Sequence, residues 1–270
     1  MIRLSDSELS FIVEYMRENF GINLEKKKVL IECRLSKEAE RAGANSFGKY
    51  FQMLRQDRTG KIAEGMVNRL TTNYTYFMRE PAHFSILTEK ILPQVLADGR
   101  SGFCNIWCAG CSTGEESYTL AMLLQDFKEK QPGSFQSIRI LATDISEEVL
   151  ECARKGIYPM SELDSIPPQW QKKYCNIIDK KHFKLDEKLK YYIQFDKQNL
   201  MDDGKLTDKF DFIFCRNVMI YFDKNSKAKV LKRLERSLKP GGYLFVGLAE
   251  LLYRDETELK SVYPAVYKKE

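Results

Sequence analysis

The sequence predicts an α/β fold in which a doubly wound parallel sheet follows a small all-helical region. Two observations support this prediction. From Phe103 onward, continuous apolar segments alternate with segments of helical periodicity, and that alternation is typical of a parallel sheet covered on both faces. Before Phe103, apolar residues recur mainly at helical spacing. A chain of 270 residues is long enough to hold both parts.

The helical region is predicted from its start and stop signals. Ser5 and Glu8 have the spacing of a capping box, and Gly21 is a plausible helix end after an apolar stripe. A second helix is expected over residues 25–42, and two shorter helices follow it. Pro81 fits the first turn of a longer helix.

The strands of the sheet are predicted from four apolar segments. These are Phe103–Ala109, Ile138–Thr143, Phe210–Cys215 and Tyr243–Val246. Ala265–Lys268 is expected to close the sheet as an antiparallel strand. Residues 157–195 break the pattern with prolines and short alternating stretches. We therefore expect an inserted antiparallel β subdomain in that region.

Composition excludes several classes of function. The net charge of +5, from 43 basic and 38 acidic residues, permits an acidic partner without requiring nucleic acid. Two histidines are too few for a His-rich metal centre, and they disfavour a Ser-His-Asp hydrolase. Seven scattered cysteines suit a reduced protein. The chain has neither a signal-peptide core nor an apolar run of the roughly 18–20 residues that a membrane helix needs, so we expect a cytoplasmic protein.

The loop Gly110–Glu116 is the first candidate for a ligand site, because it joins a predicted strand to a helix. Its glycines allow close backbone approach, but its two acids disfavour a nucleotide phosphate at the helix start. A cationic ligand such as S-adenosylmethionine suits them better. Asp144 ends the next strand, where it can accept from ribose hydroxyls, and a helix N-cap is the alternative. Cys108 and Cys111 have the spacing of a redox or zinc pair, but further metal ligands are scarce.

Four segments resemble the bacterial chemotaxis receptor methyltransferases. They are Leu70–Glu80, Trp107–Glu116, Ala142–Ile145 and Phe214–Phe222. The resemblance extends over nearly the whole chain. It implies a Rossmann-like, S-adenosylmethionine-dependent methyltransferase sheet with a small N-terminal all-helical domain and an inserted antiparallel β subdomain. It also implies methyl transfer to glutamate carboxylates on the cytoplasmic helices of methyl-accepting receptors, which yields glutamyl methyl esters and S-adenosylhomocysteine.

The resemblance implies roles for individual residues at the amino-acid end of the cofactor. Asn73, Thr75 and Arg79 are expected to contact it, and Arg79 is also expected to face the reacting centre. One of the acids Glu115 and Glu116 occupies the acidic cofactor position. Glu116 is favoured, although the sequence does not separate the two.

The remaining roles concern the ribose, the adenine and the substrate. Asp144 is expected to hold the ribose, and Asn199 and Leu200 to lie beside the adenine. The methionine end is assigned to Arg216 and Asn217. Tyr221 is expected at the substrate entrance, with a packed core aromatic as the alternative. No metal is expected.

The resemblance divides the chain into a receptor-recognition domain, residues 1–75, and a cofactor-binding domain, residues 76–270, with a boundary between Leu70 and Pro93. The insertion covers about 157–195. Basic residues on one side of the second helix are assigned to receptor recognition, a solvated helix face being the alternative. These residues are Lys27, Arg34, Lys37 and Arg41. We expect a monomer that binds receptor helices, with no nucleic acid and no membrane insertion.

Two departures from the family pattern matter. Residues 247–250 read Gly-Leu-Ala-Glu where the family often has Gly-His-Ser-Glu, and Met78 replaces a frequent aromatic residue. The missing His-Ser pair leaves open a non-catalytic sensor of the cofactor. A methyltransferase that acts on small molecules or nucleic acid stays open as well, whereas the acidic loop disfavours a nicotinamide oxidoreductase. The insertion lacks the glycine-rich loop of pentapeptide-tethering members, so we expect no need for a receptor tether.

Overall fold

Four helices form the N-terminal part of the computed structural model, which describes residues 2–99, 102–202 and 209–270. They are α1 (Asp6–Phe20), α2 (Lys28–Arg41), α3 (Phe47–Gln56) and α4 (Lys61–Leu70). The predicted capping box is confirmed, since Ser5 accepts from the Glu8 amide and the Glu8 carboxylate accepts from the Ser5 amide. Gly21 ends α1 with a φ of 72°. The apolar faces of the four helices enclose one core, with Ile12, Ile31, Phe47 and Met66 fully buried.

A longer helical segment connects this part to the sheet. It consists of α5 (Pro81–Ile86), a π-helical turn (Leu87–Ile91) and α6 (Leu92–Ala97). Pro81 lies in the first turn, as predicted, where its missing N–H has no helical partner to lose. The apolar face of this segment packs with the core of the sheet, not with the core of the four helices.

The first half of the sheet follows the predicted order. It contains β1 (Phe103–Ala109), α7 (Glu115–Lys130), β2 (Ser137–Asp144) and α8 (Glu147–Lys155). The strand β1 pairs with β2 in parallel over the whole length of β1. Most of their side chains are buried, as expected for strands covered on both faces.

The insertion is a separate antiparallel sheet of three strands in the order β3-β5-β4. Its elements are β3 (Ile157–Pro159), α9 (Pro168–Tyr174), β4 (Cys175–Ile177), β5 (His182–Leu185) and α10 (Glu187–Lys190). The predicted range of 157–195 is too long. Ile193 and Phe195 pair with Ile140 and Ala142 of β2 and therefore belong to the main sheet.

The second half completes a seven-stranded main sheet. Its elements are β6 (Ile193–Lys197), β7 (Phe210–Cys215), α11 (Lys224–Ser237), β8 (Leu238–Val246), β9 (Lys260–Tyr263) and β10 (Val266–Lys268). The strand order is β6-β2-β1-β7-β8-β10-β9. The strand β10 is antiparallel to β8, which confirms the predicted closing strand, whereas β6 and β9 were not predicted.

Candidate active site

A cavity lies where the strand order reverses, at the carboxyl ends of β1, β2 and β7. It encloses about 1310 Å³, including space that is open to solvent. Open α/β sheets bind ligands at such a reversal, because the loops after neighbouring strands diverge there. The opposite wall comes from the helical part, through Phe20, Ile22, Leu24 and Leu30. The site therefore lies between the sheet and the N-terminal helices.

Most of the residues that the sequence singled out line this cavity. They are Lys27, Asn73, Thr75, Arg79, Glu116, Asp144, Asn199, Leu200, Arg216, Asn217 and Tyr221. Four others do not line it, namely Glu115, Arg34, Lys37 and Arg41. Segments that are more than 100 residues apart in the sequence thus converge on one space.

The two acids at the start of α7 have different surroundings. Glu116 lines the cavity and accepts from Arg216 Nη1 at 2.9 Å. Glu115 is 2% exposed and accepts from the Thr113 hydroxyl at 2.7 Å, and burial raises its pKa to about 7. Successive helical residues point about 100° apart, so the two side chains diverge. The structure thus separates the two alternatives that the sequence left open, because only Glu116 reaches the cavity.

Arg216 is a buried cation held between two carboxylates. Arg216 Nη2 lies 3.1 Å from Glu80 Oε2, while Arg216 Nη1 contacts Glu116. Nη2 also donates to the Arg79 carbonyl. Burial raises the pKa of Glu116. Burial also acts to raise the pKa of Glu80, but the charge of Arg216 outweighs it, so that pKa is lowered. A buried arginine needs such partners, since an unpaired buried charge is costly.

Glu80 was not assigned a role from the sequence, although it ends one of the family-like segments. Besides Arg216, its carboxylate accepts from Asn217 Nδ2 at 3.3 Å. Both contacts join residues more than 130 positions apart. No local pattern signals them, because only the fold brings the two segments together.

Asp144 connects the glycine-containing loop to the end of β2. Its Oδ2 accepts from the Ser112 amide at 2.8 Å, and its Oδ1 accepts from the Ser146 amide at 3.0 Å. Ser146, not Asp144, is the N-cap of α8, since its hydroxyl accepts from the Val149 amide. The cap alternative therefore does not describe Asp144, whose pKa is raised by burial.

Arg79 lies on the cavity wall within a strained turn. Met78 and Glu80, on either side of it, both have positive φ angles, 59° and 55°. Its Nη1 donates to the Tyr74 carbonyl at 2.7 Å, and its guanidinium lies 5.8 and 5.9 Å from the rings of Tyr74 and Tyr76. Across the part of the chain that the structure describes, Arg79 forms no ion pair. It is therefore available to a carboxylate that enters the cavity.

Tyr221 joins the sheet to the helical part. It lines the cavity and also packs against the core of the four helices. A place at the substrate entrance and a place as a packed core aromatic are therefore compatible for Tyr221. Its carbonyl accepts from the Asn23 amide at 2.8 Å, and Phe222 pairs with Ile22 in an isolated antiparallel bridge. The loop after β7 thereby closes one side of the site.

The basic residues of the second helix do not form one uniform surface. Lys27 precedes α2 as its N-cap residue and lines the cavity. Arg34 donates to the Thr71 carbonyl at 2.9 Å and to the Arg69 carbonyl at 3.3 Å. Lys37 is exposed, and Arg41 lies 3.6 Å from Glu38. Arg34 is thus engaged with the end of α4, whereas Lys37 faces solvent.

Comparison with known families decides the identity of the chain. Residues 7–71 match the CheR methyltransferase, all-alpha domain, and residues 73–267 match the CheR methyltransferase, SAM binding domain. The chain belongs to the CheR methyltransferase family. It is an S-adenosylmethionine-dependent methyltransferase, and the predicted family, fold class, enzyme class and cofactor are confirmed.

Relatives of this CheR methyltransferase match over nearly its full length. The chemotaxis protein methyltransferase of Borreliella burgdorferi is 41% identical over 99% of this chain and 96% of its own. That of Vibrio parahaemolyticus is 34% identical over 99% and 98%, respectively. That of Salmonella typhimurium is 37% identical over 92% of this chain and 85% of its own.

None of the helices in the described residues is both long enough and apolar enough to span a membrane.

Unsatisfied polar atoms at the cavity of this CheR methyltransferase fit the cofactor. Gln198 Oε1 and Asn217 Oδ1 are buried acceptors for which the described residues supply no donor. A ligand with N–H groups, such as an ammonium and an aminopurine, can supply donors to acceptors of this kind. Gln198 carried no signal in the sequence. Its neighbour Asn199 instead bonds through its side chain to the Asn19 carbonyl and the Met201 amide.

The departures from the family pattern fall outside the polar contacts of the site. Leu248 and Ala249, in place of His-Ser, are exposed, whereas Gly247 and Glu250 on either side are buried. Met78 is partly buried and packs against the core of the sheet. Leu248 and Ala249 thus lie outside the residues that line the cavity.

Proposed function

We propose that this CheR methyltransferase transfers a methyl group from S-adenosylmethionine to glutamate carboxylates of chemotaxis receptors. The products are glutamyl methyl esters and S-adenosylhomocysteine, and the process is chemotactic adaptation. The proposal rests on the surroundings of Arg79. Its guanidinium lies on the wall of the cofactor cavity, and no carboxylate of the described residues neutralises it, whereas Arg216 pairs with two. The names of the relatives, chemotaxis protein methyltransferases, agree with a receptor substrate.

Residues of the sheet loops would hold the cofactor. We assign its amino-acid end, which carries an ammonium and a carboxylate, to Asn73, Thr75, Arg79, Glu116, Arg216 and Asn217. S-adenosylmethionine supplies an electrophilic methyl group on a positively charged sulfur.

The ribose and the adenine would occupy the other end of the cavity. We assign the ribose to Asp144, which lies at the carboxyl end of a strand as in other nucleotide-binding sheets. Asn199 and Leu200 would lie beside the adenine, and because the Asn199 side chain is already bonded, its contact would come from the backbone.

The chain needs to position two groups, but it needs no strong base. A glutamate side chain has a pKa near 4.3, so the nucleophile is already ionised at neutral pH. Arg79 would orient it through charge-assisted hydrogen bonds, and the Tyr221 hydroxyl would contact the same carboxylate. Alignment of this kind contributes as much as about 7–11 kcal/mol in favourable cases. With S-adenosylmethionine bound, the carboxylate oxygen would displace the sulfur at the methyl carbon, and no side chain would need to move a proton.

The N-terminal part would recognise the receptor. We propose residues 1–75 as the recognition domain and 76–270 as the cofactor domain. Lys27 and Lys37 offer cationic groups to a glutamate-rich helix, which would speed the encounter. We further propose a cytoplasmic monomer that does not act on nucleic acid and needs no C-terminal receptor tether.

Labelled methyl transfer tests this proposal. The protein is incubated with methyl-labelled S-adenosylmethionine and receptor-containing membranes, and methanol release by base is measured. We expect base-labile label in the receptor. Label that resists base, or label in nucleic acid instead of receptor, would refute the proposed substrate.

A further inference from the structure

We infer that Glu250 is a positioning residue for methyl transfer, an inference that rests on the proposed function. Its side chain is buried, with the residue only 4% exposed. Its Oε2 accepts from the amides of Asn217 at 2.6 Å and Gly247 at 2.8 Å, and its Oε1 accepts from the Ile220 amide at 3.0 Å. One carboxylate thus joins the loops after two neighbouring strands, β7 and β8.

The loop after β7 contains a left-handed residue, and the Glu250 carboxylate holds two of the loop's amides. Asn217 has a φ of 59°, which is left-handed and uncommon for a residue other than glycine. The same loop carries Arg216, Asn217 and Tyr221 on the cavity wall, and Phe222 pairs with Ile22. Loss of the Glu250 contacts would free the Asn217 and Ile220 amides and displace the wall that faces the reacting groups.

Gly247 belongs to the same arrangement. A Cβ atom at this position would lie 2.6 Å from Asn217 Nδ2, 2.7 Å from Glu250 Oε2 and 2.9 Å from the Asn217 amide nitrogen. Any side chain would therefore push either the carboxylate or the loop out of place. Glycine at 247 and glutamate at 250 act together, while the two residues between them are exposed.

Substitution of Glu250 tests the inference. Hydrogen bonds to charged groups are strong enough that we expect Glu250→Ala to lower kcat by about 10- to 100-fold. Its affinity for S-adenosylhomocysteine, measured by calorimetry, should also fall. Glu250→Gln is isosteric and keeps one acceptor oxygen. This variant should therefore fold and retain part of the parent kcat and part of the affinity for S-adenosylhomocysteine. Gly247→Ala should reproduce the loss by pushing the same groups apart.

A matched control is available in Glu256, which also holds a backbone amide with its carboxylate. It accepts from the Tyr253 amide at 2.9 Å and pairs with Lys227, and it does not line the cavity. Glu256→Gln should leave kcat and S-adenosylhomocysteine affinity unchanged. A loss in Glu256→Gln equal to that in Glu250→Gln would overturn the inference.

A double substitution distinguishes positioning from general destabilisation. If Glu250 positions the loop, the Tyr221 hydroxyl is already misplaced in the Glu250→Ala variant. Adding Tyr221→Phe to that variant should then lower kcat by a smaller factor than adding Tyr221→Phe to the parent. Equal costs in both backgrounds would overturn the inference. So would a Glu250→Ala variant with parental affinity and kcat. Because the affinity measurement needs no receptor, a parent protein that binds S-adenosylhomocysteine but labels no receptor refutes the proposed function alone.

Discussion

Replacement of Arg79 by alanine separates the chemical role of the guanidinium from its contribution to folding. The fold loses one hydrogen bond, from Nη1 to the Tyr74 carbonyl, and two ring contacts near 6 Å. A hydrogen bond contributes about 0.5–1.5 kcal/mol and an exposed cation–π contact about 0.5–1 kcal/mol. Because the ring distances are at the limit of such contacts, we expect a loss of no more than about 2 kcal/mol in the free energy of unfolding.

The expected effect on methyl transfer is larger. The substrate carboxylate loses at least one charge-assisted hydrogen bond, worth about 1.5–3 kcal/mol. At about 1.36 kcal/mol per decade, that loss lowers kcat/KM by about 10- to 150-fold, and more if two such bonds form. Arg79→Lys keeps the charge but not the planar fork, so its activity should lie between those of the parent and Arg79→Ala.

The assay measures base-labile methyl label in receptor membranes, together with thermal unfolding and S-adenosylhomocysteine affinity. The affinity measurement is needed because we propose that Arg79 contacts the cofactor as well. A kcat/KM for Arg79→Ala within twofold of the parent value would refute the role of Arg79 as the holder of the carboxylate. A collapse of thermal stability would also refute the reasoning, since the contacts of Arg79 in the fold are few.

Further predictions follow from the same geometry. Glu116→Gln should weaken S-adenosylhomocysteine binding, while Glu115→Gln should not, and equal calorimetric affinities would count against this. Burial raises the pKa of Glu115 from 4.5 to about 7, so its ionisation costs stability as pH rises between those values. Glu115→Gln should therefore unfold at a higher temperature than the parent above pH 7 and at a similar one in acid, whereas parallel pH curves would contradict the shift. Lys37→Glu should slow receptor methylation mainly at low salt, whereas Arg34→Ala should also weaken cofactor binding, because Arg34 holds Thr71 at the cavity. Receptors without their C-terminal pentapeptide should be methylated at the rate of intact ones, and a slower rate would show that the tether is needed.

Local sequence patterns were sufficient for most helices and for the central strands. The capping box at Ser5 and the buried strand Phe103–Ala109 depend on neighbours within a few residues, so a single segment reveals them. The strand β6 was not predicted, because Ile193 and Phe195 alternate with polar residues, a pattern that also suits the inserted antiparallel subdomain. Only pairing with β2 decides between the two sheets, and a segment alone does not record its partner.

The site was predictable where family-like segments carry it and unpredictable where distant segments meet. Glu250 and Gln198 lie outside those four segments. Glu80 lies inside one, but its partners Arg216 and Asn217 are on another strand's loop. The contacts of these residues exist only in the folded chain, so the sequence assigned no role to them, although Glu80 and Glu250 both lie in family-like stretches.

The distribution of charge around the cavity accounts for a reaction without a histidine base. Arg216 is offset by Glu80 and Glu116, so this buried group presents little free positive charge to the cofactor. Arg79 lacks such partners among the described residues, and in the proposed mechanism its charge would hold the incoming carboxylate. His83 lies away from the cavity lining, 3.5 Å from Glu80, and burial lowers its pKa to about 4, so it is neutral at pH 7. In the proposed mechanism, the two opposite charges of the reactants would therefore meet separate, oppositely charged parts of one wall, and alignment for a direct displacement requires such an arrangement.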